Sequence, residues 1–336
     1  MPEFASALPS HLRRSPLAAK PVLSIIVPVL NEEAAIPPFF EAIRPVFRTL
    51  KKTYALEGCF EIVFVDDGST DRTVDIIRSV RLNDVAIKVV KLARNFGKDP
   101  ALAAGLAHAS GEAVIPMDVD LQDPPDVIID MVAAWKKGAM VVNAVRADRT
   151  TDSWFKRHSA NVFYALFNRI SSYPIKENVG DFRLLDRKVV DVLINMPERV
   201  RFMKGLFSWL GYPSEDVYYK REARTAGQTK WKPLKLFNFA IDGITGSSTL
   251  PLRIWTIVGC TMAIVALLYA TFIIARTVLF GIDVPGYASL MVVTLVANAT
   301  TLIAIGILGE YVGRISIEVR QRPLYVVETV FDDTVE

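Results

Sequence analysis

Cysteine and histidine are scarce in this chain, and their scarcity closes off several chemistries. Cys59 and Cys260 stand far apart, which excludes a disulfide framework and a cysteine-rich zinc site. His11, His108 and His158 share no ligand spacing, so a histidine-held metal is excluded as well. There is no Gly-x-Gly-x-x-Gly and no Walker-type loop, which removes the usual dinucleotide-binding and P-loop classes. A net charge of +3 over 336 residues is small and argues against a nucleic-acid partner. Residues 1–21, with Pro2, Pro9, Pro16 and the pair Arg13-Arg14, lack an apolar core of signal-peptide length and read as a flexible lead-in.

Two stretches lack charge altogether. Ile254 to Ala275 is bounded by Arg253 and Arg276, and Tyr287 to Gly309 is followed by Glu310. Each exceeds the roughly 20 apolar residues that cross a bilayer core, so residues 254–310 are expected to form a two-helix transmembrane hairpin in a lipid bilayer. Lys230, Lys232, Lys235 and Arg253 precede the first span, and Arg314, Arg320 and Arg322 follow the second. The positive-inside rule places both flanks, and the domain before them, in the cytoplasm. Within residues 233–253, Leu234, Phe237, Ile241 and Ile244 recur at helical spacing, as in a helix lying in the membrane interface. Gly306, Gly309 and Gly313 mark one face of the second span, where helices can approach closely, and Asn298 is expected to face a helix instead of lipid. Residues 311–336 read as a cytoplasmic helix and strand. The strand, Leu324 to Phe331, needs an edge to pair with, in its own sheet or a neighbouring subunit's.

Residues 22–232 alternate short apolar runs with helical stretches. Strands are expected at Leu23 to Val29, Glu61 to Val65, Ile87 to Leu92, Ala113 to Met117 and Met140 to Val145. Helices are expected at Glu33 to Leu50, Thr70 to Val80, Ala101 to His108 and Pro125 to Lys136, with Asn31 and Ser69 as N-caps of the first two. This rhythm predicts an α/β fold around a mostly parallel sheet. Asp118 and Asp120 fall just after an apolar strand, where open α/β sheets place their ligands. Two hard oxygen ligands so close together suit Mg²⁺ or Mn²⁺ bound to a diphosphate.

Four motifs follow in order: Val27-Pro28-Val29-Leu30-Asn31-Glu32-Glu33; Val65-Asp66-Asp67-Gly68-Ser69-Thr70-Asp71; Arg94-Asn95-Phe96-Gly97-Lys98; and Asp118-Val119-Asp120-Leu121-Gln122-Asp123-Pro124-Pro125. Together they resemble the inverting transferases of glycosyltransferase family 2, whose GT-A fold is Rossmann-like. Gly180-Asp181-Phe182-Arg183-Leu184, Arg201-Phe202-Met203-Lys204-Gly205 and Ala226-Gly227-Gln228-Thr229-Lys230-Trp231 resemble its polyprenyl-phosphate branch. Pro251 to Trp255, Gly309 to Arg314 and Arg322 to Tyr325 are similar to the bactoprenol glucosyltransferases of bacteria. The resemblance implies transfer of glucose from UDP-glucose to undecaprenyl phosphate at the bacterial inner membrane. The lipid-linked sugar would serve O-antigen or other cell-envelope glycan modification. It also implies a homotetramer, with a separate flippase and a downstream transferase as partners.

Carried over by position, the resemblance puts the nucleotide sugar against Pro28, Leu30, Glu32, Asp67, Arg94, Gly97, Lys98, Asp118 and Gln122. It gives the metal to Asp118, Asp120 and Gln122, and sets Asp181 and Arg183 beside sugar and acceptor as catalytic residues. The chain departs from the family pattern at Val119, where a smaller residue is commoner, and at Asp99-Pro100.

An alcohol acceptor needs a general base, whereas a lipid phosphate is already anionic. Cations must therefore steady it, and Arg201, Arg221, Arg224 and Lys230, ahead of the membrane, are the leading candidates, with Arg146 and Arg157 behind them. Three alternatives stand beside this reading. One is the same reaction with galactose, N-acetylglucosamine or a modified arabinose. Another is a processive polysaccharide synthase, whose Gln-x-x-Arg-Trp is met here only by Gln228-Thr-Lys-Trp231. The third is a membrane scaffold without turnover.

Overall fold

The computed structural model describes residues 21–54, 60–82, 84–147, 176, 179–198, 203–220, 250–280 and 286–332. Its centre is an eight-stranded sheet in the order β7-β5-β6-β4-β1-β2-β3-β8. The strands are β1 (Leu23–Val29), β2 (Phe60–Asp66), β3 (Val85–Leu92), β4 (Ala113–Pro116), β5 (Val141–Arg146), β6 (Val179–Asp186), β7 (Ser214–Tyr219) and β8 (Val327–Asp332). β4, β1, β2 and β3 run parallel, and every residue of β2 is buried. Strands covered on both faces carry apolar side chains on both, which is why they read as unbroken hydrophobic runs and not as alternation.

Helices cover the two faces. The helix α1 (Ile36–Tyr54) turns Ile36, Phe39, Phe40, Ile43, Phe47 and Leu50 inward. With α2 (Thr73–Ser79) and α4 (Val127–Lys136) it covers one face, where Phe47 stacks on Phe60 at 4.6 Å. On the other face lie α3 (Lys98–His108), α5 (Arg187–Asn195) and α6 (Met203–Trp209). Ala101, Ala103, Ala104 and Gly105 let α3 lie flat on β1, for a Cβ at Gly105 would come within 2.1 Å of Ile26 Cγ2. That contact fixes where α3 begins, and Lys98 is its first residue.

Away from the strand ends that carry the motifs lies a buried polar cluster. Glu61 accepts from Ser24 Oγ and from the Ser110 N–H and Oγ. Lys88 Nζ lies 3.1 Å from Glu61 and 3.4 Å from Asp332, tying β8 to the sheet's interior. The late strand thus finds its edge in its own sheet, antiparallel to β3.

Two long helices complete the described chain, α7 (Leu250–Phe280) and α8 (Tyr287–Val319). Their spans Ile254–Phe280 and Val292–Val319, with mean hydropathies of 2.4 and 2.0, are long and apolar enough to cross a membrane. Residue 310 lies inside α8, so the expected separate helix from Tyr311 is the continuation of the span. A Cβ at Gly306, Gly309 or Gly313 would meet nothing within 4 Å, so this face of α8 is open in the single chain, and Asn298 is exposed. Residues 233–249 of the expected interfacial helix lie outside the described residues.

Candidate active site

β1 sends its following helix to one face of the sheet and β3 sends α3 to the other, so a crevice opens at the carboxyl ends of β1 and β4, the usual ligand position in such sheets. Around it stand Leu30 to Glu32 after β1, Asp66 and Asp67 at the end of β2, Arg94 to Lys98 after β3, and Asp118 to Asp123 after β4.

The first two loops are laced together by the residues expected as N-caps. Asn31, at φ 54°, donates its N–H to Ser69 Oγ, and its Oδ1 accepts from the Thr70 N–H at 2.8 Å. Neither residue caps a helix. The helix α1 starts at Ile36 and α2 at Thr73, and α2's N-cap position is held by Arg72. The correction has a simple cause, since short polar side chains satisfy whichever backbone donors tertiary contact brings near. Glu32 donates its N–H to Thr73 Oγ1, while Pro28 sits within β1 opposite Val65.

Asp67 shapes the third loop. Its buried carboxylate accepts from the Phe96 N–H at 2.7 Å and the Gly97 N–H at 2.9 Å. Burial pushes its pKa up despite these hydrogen bonds, and the neighbouring Asp66 adds to the rise. Gly68 is required beside it, because at φ +83° a Cβ would fall 2.9 Å from the Asn95 nitrogen. Asp66 is fully buried, and its Oδ2 finds no hydrogen-bond partner among the described residues. Arg94 lies over the Phe96 ring, 4.1 Å from its centroid.

Lys98 joins two elements remote in sequence. Its Nζ lies 2.8 Å from Asp118 Oδ1, 2.9 Å from Asp118 Oδ2 and 3.1 Å from Asp181 Oδ2. Burial alone would lower the lysine's pKa, but Asp118 and Asp181 outweigh it and hold the ammonium firmly charged. Asp120 Oδ1 accepts from the Gln122 N–H at 3.2 Å, and Leu121 between them is at φ 56°. A left-handed leucine is a strained residue, of the kind that clusters at functional sites. Asp123, buried, accepts from the Tyr219 hydroxyl, whose pKa burial and the Asp123 charge push up to about 12.

Asp181 and Arg183 stand two residues apart on β6, which enters the sheet antiparallel to β4 and β5 with an irregular register between Val179 and Arg183. Asp181 faces the crevice through Lys98. Arg183 does not share that position: it is 4% exposed, donates to the Gly180 carbonyl at 2.6 Å and covers the Phe207 ring at 3.9 Å. Burial lowers its pKa to about 10, which leaves it charged at neutral pH, and Asp181 opposes the drop. Arg201, Arg221, Arg224, Lys230 and Arg157 lie outside the described residues, whereas Arg146 donates to the Tyr219 hydroxyl at 3.4 Å.

Asp66, Asp123 and Tyr219 join this frame without having been singled out. The first two stand inside the quoted motifs and had a signal. Tyr219 had none, because the mixed polar run of β7 looks like a loop.

The donors fit a divalent cation. They are hard carboxylate oxygens, and the Lys98 ammonium shows that Asp118 and Asp181 converge on one cation-sized position. Among the described residues no three His, Cys, Asp or Glu side chains gather into a metal cage. Mg²⁺ and Mn²⁺ sites of this kind keep positions open for phosphate oxygens and water.

Comparison with known sequences defines the class. The model of glycosyl transferase family 2 matches residues 24–194, and the chain belongs to that family. Its similarity to the bactoprenol glucosyl transferases runs nearly end to end. It is 49% identical over 308 residues to the prophage bactoprenol glucosyl transferase homolog of Escherichia coli K12, covering 92% of this chain and 99% of that one. It is also 49% identical over 306 residues to the bactoprenol glucosyl transferase of Shigella phage SfII, covering 91% and 97%. Among solved structures, glucosyl-3-phosphoglycerate synthase from Mycobacterium tuberculosis, in complex with Mn²⁺, UDP-glucose and phosphoglyceric acid, aligns at 21% identity and TM-score 0.43. That alignment covers 67% of this chain and 78% of the synthase. The chain is thus a glycosyltransferase with a mixed α/β domain and two long apolar helices.

Proposed function

We infer that this glycosyltransferase moves glucose from UDP-glucose to a polyprenyl phosphate, undecaprenyl phosphate in a bacterial inner membrane, with inversion and from the cytoplasmic side. The observation that carries the reading is how the chain returns from its apolar helices. After α8 ends at Val319, residues 320–326 lead straight to β8, whose first residue pairs with Leu92. The Ala93 N–H donates to the Val326 carbonyl at 2.9 Å, one residue before the Arg94 to Lys98 loop. A membrane helix tied to the rim of the crevice suits an acceptor that never leaves the bilayer. The names of the relatives at 49% identity point to the same acceptor and sugar.

The chemistry follows from charge. Asp67 holds the loop of Phe96 and Gly97 against the nucleotide, with Pro28, Leu30, Glu32 and Arg94 around it. Asp118 and Asp120, with Gln122, would hold Mg²⁺ or Mn²⁺, which when bound neutralises the leaving diphosphate. Lys98 adds a positive charge on the same side. Asp181 stands across Lys98 from Asp118, positioned to orient the sugar or to take a proton from a protonated acceptor phosphate. Arg183 anchors the strand that carries Asp181. Arg201, Arg221, Arg224 and Lys230, on the approach to the membrane, steady the acceptor phosphate. The open glycine face of α8 supports assembly into a homotetramer, and a separate flippase and downstream transferase would use the product.

The test is to incubate the purified protein with undecaprenyl phosphate, divalent metal and radiolabelled UDP-glucose, UDP-galactose, UDP-N-acetylglucosamine and a modified arabinose donor. Label passing from UDP-glucose into the lipid phase is the expected result. Label from another donor would reassign the sugar, long water-soluble polymer would indicate a synthase, and no transfer from any donor would indicate a scaffold.

A further inference from the structure

The three bonds of Lys98 leave a problem for any metal. Both oxygens of Asp118 are engaged by one ammonium, and the same ammonium reaches Asp181. Two carboxylates this close repel each other, and Lys98 cancels that repulsion. A divalent cation approaching Asp118 must first displace a charged hydrogen-bond donor, and such bonds are stronger than neutral ones. The base of Lys98 is fixed, because Gly97 precedes it at φ 102° and α3 is clamped to β1 through Gly105. Its four-carbon side chain is 43% exposed and has room to swing.

We propose that Lys98 is a positioning residue, the resident counter-ion of Asp118 and Asp181, which yields Asp118 to a divalent cation only when a nucleoside diphosphate arrives to receive the ammonium. This rests on the reading of Asp118 as a metal ligand. The charge balance gives the order of events. The ammonium and the two carboxylates together carry one negative charge, and Lys98 satisfies both partners. A cation alone would push Lys98 off Asp118 and leave it Asp181 only, with no new anion in exchange for the one lost. A cation arriving with a diphosphate brings that anion, so Lys98 exchanges Asp118 for a phosphate oxygen while Asp181 keeps it oriented. Metal and nucleotide therefore bind together, and the metal binds poorly alone.

The test measures Mn²⁺ binding to the full-length detergent-solubilised protein by the loss of the free-ion electron paramagnetic resonance signal, with and without UDP-glucose. Wild type, Lys98→Met, Lys98→Arg and Asp118→Asn are compared. Lys98→Met is expected to bind Mn²⁺ alone about tenfold more tightly than wild type, the scale of one lost charge-assisted bond. The further tightening that UDP-glucose produces in wild type should shrink in Lys98→Met and persist in Lys98→Arg. If Lys98→Met binds Mn²⁺ alone no better than wild type while Asp118→Asn abolishes binding in the presence of UDP-glucose, the counter-ion role is wrong and the metal site stands. If Asp118→Asn binds as wild type does, or wild type binds no Mn²⁺ under either condition, the metal-ligand reading fails and the counter-ion proposal falls with it.

Discussion

Replacing Asp67 by Asn keeps the shape of the side chain and changes what it can accept. In the native site both carboxylate oxygens receive backbone N–H groups, from Phe96 at 2.7 Å and Gly97 at 2.9 Å. An amide offers one acceptor oxygen, so one N–H would face an NH₂ group and lose its partner. A buried unsatisfied donor costs about 1–3 kcal/mol, and losing the charge on the remaining bond adds about 1 kcal/mol. Against this stands the cost of burying a carboxylate, visible in the raised pKa, which the amide escapes. The balance is a loss of about 2 kcal/mol in the closed loop, felt locally because the two donors are adjacent. Hydrogen exchange measured by mass spectrometry on a peptide spanning residues 93–99 should then speed up roughly thirtyfold. UDP affinity should fall, because the loop carrying Arg94 and Lys98 no longer has a single position. Unchanged exchange in that peptide, with UDP binding retained, would refute the assignment of Asp67 as the organiser of the loop.

Three further outcomes are expected. Asp181→Asn should lower glucosyl transfer strongly while leaving UDP binding nearly intact, measured by turnover and calorimetry; equal turnover in both proteins would remove Asp181 from the chemistry. Gly105→Val should cost about 1–3 kcal/mol by overpacking, since even a Cβ would lie 2.1 Å from Ile26 Cγ2, and should depress activity as α3 shifts Lys98, seen as a lower Tm with weakened nucleotide binding. Lys88→Met should destabilise the domain by about 3–5 kcal/mol because it leaves Glu61 buried without its cation. Burial works to lower the Lys88 pKa, but the charges of Glu61 and Asp332 raise it above the usual lysine value of 10.5. Its contribution is therefore complete below about pH 10.5 and lost as pH climbs through the folded value, a slope that Lys88→Met should lack in denaturation measured from pH 9 upward.

The parallel half of the sheet was legible because burial on both faces writes itself as an apolar run. β1 occupies Leu23–Val29, the expected stretch, and β2, β3, β4 and β5 fall within one or two residues of theirs. The strand β6, antiparallel to β4 and β5, was not. The sequence Val-Gly-Asp-Phe-Arg-Leu-Leu-Asp of β6 stood out as a motif and not as a strand, because Asp181 and Arg183 break the apolar pattern. What makes it a strand is the free edge of β4 beside it and the Phe207 ring under Arg183. The late strand was seen, but nothing local distinguishes an edge in its own sheet from one in a neighbour, and the pairing with β3 settles it.

Taken alone, the order of amino acids determined the α/β class, the two apolar helices, the family and which carboxylates to watch. Those properties depend on composition and period within short windows, where burial and backbone geometry act residue by residue. Only the tertiary structure decided that Asn31 and Ser69 tie loops together instead of capping helices, and that Arg183 lies buried behind Asp181. It also decided that one lysine sits between Asp118 and Asp181. These are matters of distance between elements some 20 to 83 residues apart in the chain, set by how α3 and β6 settle on the sheet, and charge acts through space without regard to sequence separation.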